Sequence, residues 1–306
     1  MNETIQEAKT TWSGPRRLSF FIVAAAYGVL LVSPLSLLSY AVIGWILTGE
    51  GTSHRVHEIS FGVVFVLSLL GLLAQFRSTS RKVAPMQQVA VPILVLILVE
   101  SLVTGVGPDT LPLFLMFGVP PVVLAVLHPS RREVFKPTVH PSRNLLVLVI
   151  ALAIPLVIFA VNQIRTGLEA RTLAAPVFQQ IDLPETATEE EFFAEFERIV
   201  NEMGIDDEQR ELIEHSGHWS GMAGWALGLV VLALLVAMRV IGFRFTAWSV
   251  GGAVAYYGIA SVATPEDASS GGLIGGLSVI AWGIAFVILT EMERVRNKDQ
   301  GPRINA

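Results

Sequence analysis

Long apolar runs alternate with short polar connections along most of the chain. A helix that crosses a bilayer needs about 20 predominantly apolar residues, and eight segments approach or meet that length. The pattern predicts eight transmembrane helices, at 18–47, 57–76, 89–106, 110–128, 144–163, 219–238, 245–263 and 271–290.

Two of the predicted spans begin with the same arrangement of histidines. His54 and His57 stand three residues apart before the second span, His215 and His218 do so before the sixth, and both spans close on an arginine. Aligning His57 with His218 places spans one to four on spans five to eight. Because each half has four spans, both halves enter the membrane in the same direction. The pattern therefore predicts a parallel repeat of two four-helix bundles about an axis along the membrane normal.

The predicted fold class is an all-α integral membrane protein, and its parts follow from the span boundaries. Residues 1–17 form an N-terminal tail, 18–143 the first four-helix bundle, 144–290 the second bundle, and 291–306 a C-terminal tail. The second bundle includes an acidic loop, 164–218, between spans five and six.

The basic residues predict the orientation of these spans. Of the 21 Lys and Arg residues, 16 fall on one side of the predicted membrane. Because cytoplasmic loops carry an excess of Lys and Arg, both termini are predicted to lie in the cytoplasm of a cell-membrane protein. Both histidine pairs then face outward. His128 and His140 face the cytoplasm in a basic loop, where a plain loop role is favoured.

Composition supports the membrane class and excludes several chemistries. The chain is 52% hydrophobic and 15% charged, whereas soluble domains are about 25% charged. It has no cysteine, which excludes disulfides, thiolate nucleophiles and Fe–S clusters. Because no basic, aromatic-interleaved surface appears, nucleic-acid binding is not expected. No catalytic Ser/His/Asp set, paired-carboxylate site or P-loop is visible, so the sequence assigns no reaction.

The loop at 164–218 is strongly acidic and is predicted to be helical. It carries 14 acidic and 4 basic side chains. Thr188 and Glu191 form a capping-box pattern, and Asp206 with Gln209 marks a second helix start. The apolar residues of the first helix form one stripe, predicted to cover the outer end of the bundle as a lid: Phe192, Phe193, Phe196, Ile199, Val200 and Met203.

The outward-facing histidines are the candidate functional residues. Positions three apart share a helix face, so His54 with His57 and His215 with His218 are candidate ligands for a Cu or Zn ion. Alternatively, His57 and His218 are the two axial ligands of a heme b. The simpler alternative is that all four are polar residues at the membrane interface.

Two acidic residues are candidates to support that site. Glu100 lies inside the third predicted span, where a charged residue at mid-depth costs about 2.5–3.5 kcal/mol and usually faces a partner or a cavity. Asp109 follows the same span. Both are predicted to orient the metal-ligating histidines by hydrogen bonds from outside the ligand set. For Glu100, the alternative is a carboxyl group that lies near the outer membrane interface.

The layout of eight spans in two bundles, with histidines at the outer ends of even-numbered helices, resembles heme A synthase. That resemblance implies a heme-binding bundle pair and transfers no motif. No histidine stands in the outer half of the fourth or eighth span, and His54 stands where that family has glutamate. The stretch 162–283 also resembles prokaryotic multi-pass membrane proteins, which implies no mechanism.

Three functions compete at this point. The first is a redox or metal-handling membrane protein whose outward histidines hold heme b or a Cu/Zn ion. The second is a cofactor-free structural or accessory subunit, in contact with the lipid bilayer and with another membrane protein subunit. The third is a transporter that uses Glu100 and the repeat interface, although the spans carry few intramembrane charges.

Overall fold

Throughout the residues that it describes, the protein is built from α-helices and short connections. The computed structural model describes residues 14–33, 55–77, 79–105, 110–137, 139–184, 187–214, 216–266 and 270–299. Within those ranges there is no β-strand. The described residues of each predicted span are helical over nearly their whole length. The first span is followed only as far as Val32, and its predicted remainder, 34–47, lies outside the described residues.

The helices have the following bounds. They are α1 (Pro15–Val32), α2 (Arg55–Gln75), α3 (Val83–Thr104), α4 (Thr110–Leu113), α5 (Val119–Leu127), α6 (Arg131–Phe135), α7 (Arg143–Phe178), α8 (Glu189–Glu202), α9 (Asp207–Glu214), α10 (Ser216–Ala237), α11 (Phe243–Ala263) and α12 (Gly272–Asp299). A π-helical turn, Phe114–Gly118, joins α4 to α5. We call the end with Thr104 and Ser216 the outer end, following the predicted orientation, and the opposite end the inner end.

Within the described ranges, five helices are long and apolar enough to cross a membrane, by length and composition: α1, α3, α7, α10 and α12. Two other apolar stretches are shorter, Gly62–Gln75 in α2 and Leu111–Leu127 across α4 and α5. The described helices are thus those of a multi-pass membrane protein, and the predicted number of eight spans is not confirmed.

The helices that share the larger hydrophobic core, α1 to α7 and α10 to α12, are called the membrane portion below. Helix α10 lies at its centre. It packs against α2, α3, α7 and α11, and 78% of its apolar stretch is buried, against 22% for α12. Buried residues from α1 to α12 belong to one continuous core that includes Phe20, Trp225 and Phe286. Helices of the two predicted bundles therefore share one core, and a division into two separate bundles is not confirmed.

Glycines allow α10 to approach α3 closely. A Cβ atom at Gly224 would lie 2.7 Å from the Cα atom of Leu96, and one at Gly228 would lie 3.2 Å from the Cα atom of Pro92. The paired numbers run in opposite directions, so the two helices are antiparallel. Membrane helices associate through such close packing because lipid supplies no hydrophobic driving force between them.

The small residues of the last two helices form a second close contact. A Cβ atom at Gly251 would lie 2.9 Å from the carbonyl oxygen of Gly283, and one at Gly258 would lie 2.6 Å from that of Gly276. Only glycine permits these distances at both levels of the α11–α12 interface. The glycines of these two helices therefore serve close helix packing.

Arg16 fastens the first helix to the inner end of α5. Its guanidinium group donates hydrogen bonds to the carbonyl oxygens of Val126 at 3.1 Å, Leu127 at 3.1 Å and His128 at 2.9 Å. Carbonyls in the last turn of a helix lack intrahelical partners and carry the negative end of the helix dipole. An arginine that served above as an orientation signal thus also caps a helix.

His128 has a structural role in the loop that follows. Its side chain is fully buried, its Nδ1 accepts a hydrogen bond from the Ser130 amide at 3.1 Å, and its ring lies edge-on to Phe20. Burial, helped by the charge of Arg16, lowers the pKa of His128 to about 4 against the opposing effect of the Thr79 backbone. The imidazole is therefore neutral at physiological pH.

A buried carboxylate joins three helices at the inner end. Glu293 on α12 accepts hydrogen bonds from Arg239 Nη2 at 2.8 Å and from Asn144 Nδ2 at 3.0 Å. Arg239 lies two residues beyond the end of α10 and has a φ of 52°, a conformation that residues with a Cβ atom seldom adopt. A buried charge is tolerated when it is paired and hydrogen-bonded. This contact fixes α12 to the start of α7 and to the end of α10.

Outside the membrane portion, α7, α8 and α9 form a small acidic module, which comprises the described residues from 164 to 214. Helix α7 continues 15 residues past its predicted end at 163, as far as Phe178. The predicted capping box is present: the Glu191 amide donates to Thr188 Oγ1 at 3.2 Å, and the Thr188 amide donates to Glu191 Oε2 at 2.8 Å. The Asp206 cap is also present, because its Oδ1 accepts from the Gln209 amide at 2.8 Å.

The module has its own hydrophobic core, formed by Ala174, Val177, Phe196, Ile199, Val200 and Ile213. The apolar stripe of α8 thus packs on the extension of α7, not on the outer end of the bundle as the lid prediction has it. Phe192 and Phe193, from the same stripe, remain 37% and 52% exposed.

We predict that Phe196→Glu unfolds the acidic module, whereas Phe193→Glu leaves it folded. Phe196 is 3% exposed, and loss of a buried phenylalanine side chain costs about 3–5 kcal/mol even without a new buried charge. The measurement is limited proteolysis within 179–206 together with a thermal melt. Equal protease resistance of the two variants would show that the core of the module does not depend on Phe196.

Candidate functional site

The structure describes only part of the predicted histidine site. His54, His215 and Asp109 lie outside the described residues. His57 lies two residues after the first residue of α2, where its backbone is described, and His218 lies two residues after the first residue of α10. Both predicted axial ligands thus belong to the first turn of a helix, and both helices begin at the outer end.

Glu100 has a specific partner inside the membrane portion. It lies on α3, four residues before the helix ends at Thr104, and the Ser220 hydroxyl of α10 donates a hydrogen bond to its Oε2 atom. A carboxyl group in a span is costly unless it faces a partner or water. The Glu100–Ser220 contact explains how this residue is tolerated between α3 and α10.

Helix register places His57 at the depth of Glu100. The Ser68 hydroxyl of α2 donates to the carbonyl of Val89 on the antiparallel helix α3 at 3.0 Å. Counting eleven residues toward the outer end from each of these positions leads to His57 and to Glu100. His218, two residues before Ser220, lies only about 3 Å further out at 1.5 Å per residue. The three residues therefore occupy one layer near the outer end.

Shared depth does not bring all of these side chains together. Successive residues turn by about 100° around a helix, so His218 points about 200° away from Ser220 and from the α3 side of α10. The next residue, Trp219, lies against α7, because a Cβ atom at Gly167 would be 3.4 Å from its Cβ atom. Glu100 is thus placed to contact Ser220, and its predicted role beside His218 gains no support.

Sequence reasoning overlooked Ser220 and Arg171. The Arg171 guanidinium, on the extension of α7, donates to the carbonyl of Val103 at 2.6 Å and so caps the outer end of α3. Gly105 follows that helix end with a φ of 83°. Nothing in the local sequence marks Arg171 as a cap, because its partner is 68 residues away. A serine within an apolar run was the only signal for Ser220.

Among the residues whose side chains the structure describes, no three of His, Asp and Glu form a group that could hold a metal ion. His57 is not among those side chains. The metal and heme predictions therefore stay predictions. The described residues do form one polar pair between α3 and α10, the Glu100 carboxyl group with the Ser220 hydroxyl group. This pair lies at the depth of His57 and His218.

Comparison with known proteins adds no family. The sequence matches no protein-family model, and no curated protein or solved structure is significantly similar to it.

We predict an energetic coupling between Glu100 and Ser220. A double-mutant cycle of Glu100→Gln and Ser220→Ala, followed by unfolding in detergent, should give a coupling of about 0.6–1.7 kcal/mol, the range for polar contacts between membrane helices. The control pairs Glu100→Gln with Ser278→Ala, whose exposed hydroxyl bonds only to its own helix at Ile274. Coupling as small as in that control would mean that the contact contributes no stability.

Proposed function

We propose that the protein is an accessory subunit of the cell membrane that holds its acidic module outside the cytoplasm for another membrane protein to bind. In this proposal it crosses the bilayer eight times, with both termini in the cytoplasm. The positions of the helices and the 16 basic residues on one side support that topology. The repeat about the membrane normal remains part of the proposal.

The observation that carries the proposal is the continuous helix α7. It runs for 36 residues, or about 54 Å at 1.5 Å per residue, which exceeds the roughly 30 Å of a hydrocarbon core. Its outer part supplies Ala174 and Val177 to the core of the module, and Arg171 ties it to α3. The module is therefore held at a fixed distance from the membrane and does not hang on a flexible linker.

The surface of the module is suited to a basic partner. Two of its four arginines are already neutralised, because Arg198 pairs with Glu195 and Glu202, and Arg210 pairs with Glu197 and Glu214. The segment 164–218 carries 14 acidic residues, and only four of them take part in these ion pairs, so a net negative charge is left for another protein. The exposed rings of Phe192 and Phe193, which pack edge to face, add the aromatic contact typical of interface centres.

The proposed topology predicts the outcome of reporter fusions. An alkaline-phosphatase fusion within 187–205, in the module, should be active because that enzyme folds only outside the cytoplasm. A fusion within 79–84, between α2 and α3, should be silent. The opposite pattern would reverse the orientation and would put the acidic module inside the cell.

Docking predicts a specific cross-link from the module. A photoreactive phenylalanine analogue in place of Phe193 should give one discrete protein adduct in native membranes. Raising the salt to 1 M should reduce it, because the screening length falls to about 3 Å. The same analogue at Val147, which is 62% exposed on the membrane part of α7, should give lipid adducts. Lipid adducts alone at both positions would refute docking.

A second candidate function is metal handling or electron transfer at the histidine layer. It is supported by the common depth of His57 and His218 and by the direct packing of α2 against α10. Directly packed helices have axes about 8–10 Å apart, which leaves no room for a porphyrin between them. A Cu or Zn ion, with His54 and His215 as further ligands, is therefore favoured over heme b.

Elemental analysis and a Soret scan test this candidate. Purified protein from cells grown with iron, copper and zinc should carry about one Cu or Zn ion per chain, and a His57→Ala, His218→Ala double variant should carry none. His140→Ala is the control, because that residue lies at the inner end. Wild-type protein with neither metal nor a Soret band would leave the histidines as interfacial residues.

A further inference from the structure

Three helices, α3, α7 and α10, approach one another closely at the outer end, in a contact that we call the three-helix seam. A Cβ atom at Gly167 of α7 would lie 3.2 Å from the Val103 side chain of α3 and 3.4 Å from Trp219 of α10. Glycine at this position draws the three helices together. Four polar residues lie at the seam or within about one helical turn of it: Glu100, Gln163, Trp219 and Ser220.

Two of those side chains have buried polar atoms that need a partner. Gln163 Oε1 and Trp219 Nε1 are both shielded from solvent, and neither has a hydrogen-bond partner within the described part of the chain. A buried donor or acceptor without a partner costs about 1–3 kcal/mol. In native proteins such atoms usually bond to ordered water or to a ligand.

The two atoms are chemically complementary. An indole N–H only donates, and an amide oxygen only accepts, so a water molecule in contact with both atoms would accept from Trp219 and donate to Gln163. Gln163 lies one turn inward from Gly167 on the same face of α7. Since Gly167 meets Val103, that turn brings Gln163 to the level of Val99 and Glu100 on α3. The two atoms without partners therefore belong to residues within about one helical turn of Glu100 along the helix axes.

We infer that Glu100 is a reversible proton-binding site within the membrane, reached from the outer solution through water held by Trp219 and Gln163. Hydronium transfers one proton to the Glu100 carboxylate: one O–H bond of hydronium breaks, one carboxyl O–H bond forms, and a water molecule remains. No electron moves. Ser220 donates to the carboxylate and keeps it oriented between α3 and α10. This site is independent of docking by the acidic module.

Titratable groups on the neighbouring helices set the background for the titration of Glu100. By position in the sequence, the helices that pack near Glu100 carry Arg165, Glu169 and Arg171 on α7, His218 on α10, Tyr256 and Tyr257 on α11, and Arg55, His57 and Glu58 in the first turn of α2, whose backbone alone is described there. Arg171 is engaged with the Val103 carbonyl. The assignment must therefore rest on a signal that belongs to the Glu100 carboxyl itself.

Infrared difference spectroscopy on the purified full-length protein supplies that signal. The titration covers about pH 4 to 9, the range reached by perturbed carboxyl groups. In wild type, the carbonyl stretch of one protonated carboxyl group should appear as the pH falls and disappear as it rises. This band should be absent from Glu100→Gln. Ser220→Ala should keep this band and shift its frequency, which identifies it even if Glu100→Gln fails to fold. A wild-type spectrum with no such titrating band overturns the proton site.

Deuterium exchange tests the water-held route. Trp219→Phe and Gln163→Leu should each slow the exchange of that band by about tenfold, equivalent to 1.4 kcal/mol. The control is Trp282→Phe, whose indole donates to the Leu148 carbonyl at 2.9 Å elsewhere in the fold and whose loss should leave the rate unchanged. If the band exchanged at the wild-type rate in both Trp219→Phe and Gln163→Leu, the proposed water route would be refuted. A titration midpoint that moved with Na⁺ concentration would assign the seam to cation binding and overturn the proton assignment.

Discussion

Close packing of helices on small residues is the constraint on which the rest of the membrane portion depends. In lipid, helices gain little from burying apolar surface, so their association rests on contact distance. Glycines on α10, α11, α12 and α7 provide that contact, and at Gly224, Gly251 and Gly258 a Cβ atom would lie within 3.0 Å of a neighbour. These contacts fix the register between neighbouring helices, and that register sets the relative depths of Glu100, Ser220 and His218.

Arginine side chains close the ends of the packed helices. Arg16 satisfies carbonyls at the inner end of α5, Arg171 does so at the outer end of α3, and Arg239 pairs with the buried Glu293. Each of them joins segments that are distant in sequence. Terminal carbonyls at a membrane boundary have no helical partner, and a long side chain can reach them while its charge stays near water.

The extension of α7 connects the membrane portion to the acidic module. One helix supplies residues to both hydrophobic cores, Ala160 to the larger and Ala174 to the smaller. The polar seam lies between these two residues, at Gln163 and Gly167. The proposed docking surface and the proposed proton site share this one element.

The sequence by itself determined which segments are helical and how the acidic module begins. Apolar runs must become helices in a bilayer because lipid cannot pair with backbone groups, and caps such as Thr188 with Glu191 depend on residues three apart. Their physical cause is local, so the sequence shows it. Basic residues likewise predicted an orientation, since their distribution needs no tertiary contact to be read.

Only the tertiary structure decided which residues meet. Ser220 faces Glu100 across 120 residues of sequence, and Gly167 brings α7 to α3 and α10 together. The apolar stripe of α8 divides between a core formed with α7 and an exposed face. A repeat in sequence predicted equivalent histidine depths, yet the helical turn sets His218 and Ser220 on different sides of α10. Such pairings depend on crossing geometry and register between distant helices, which hydrophobic periodicity does not encode.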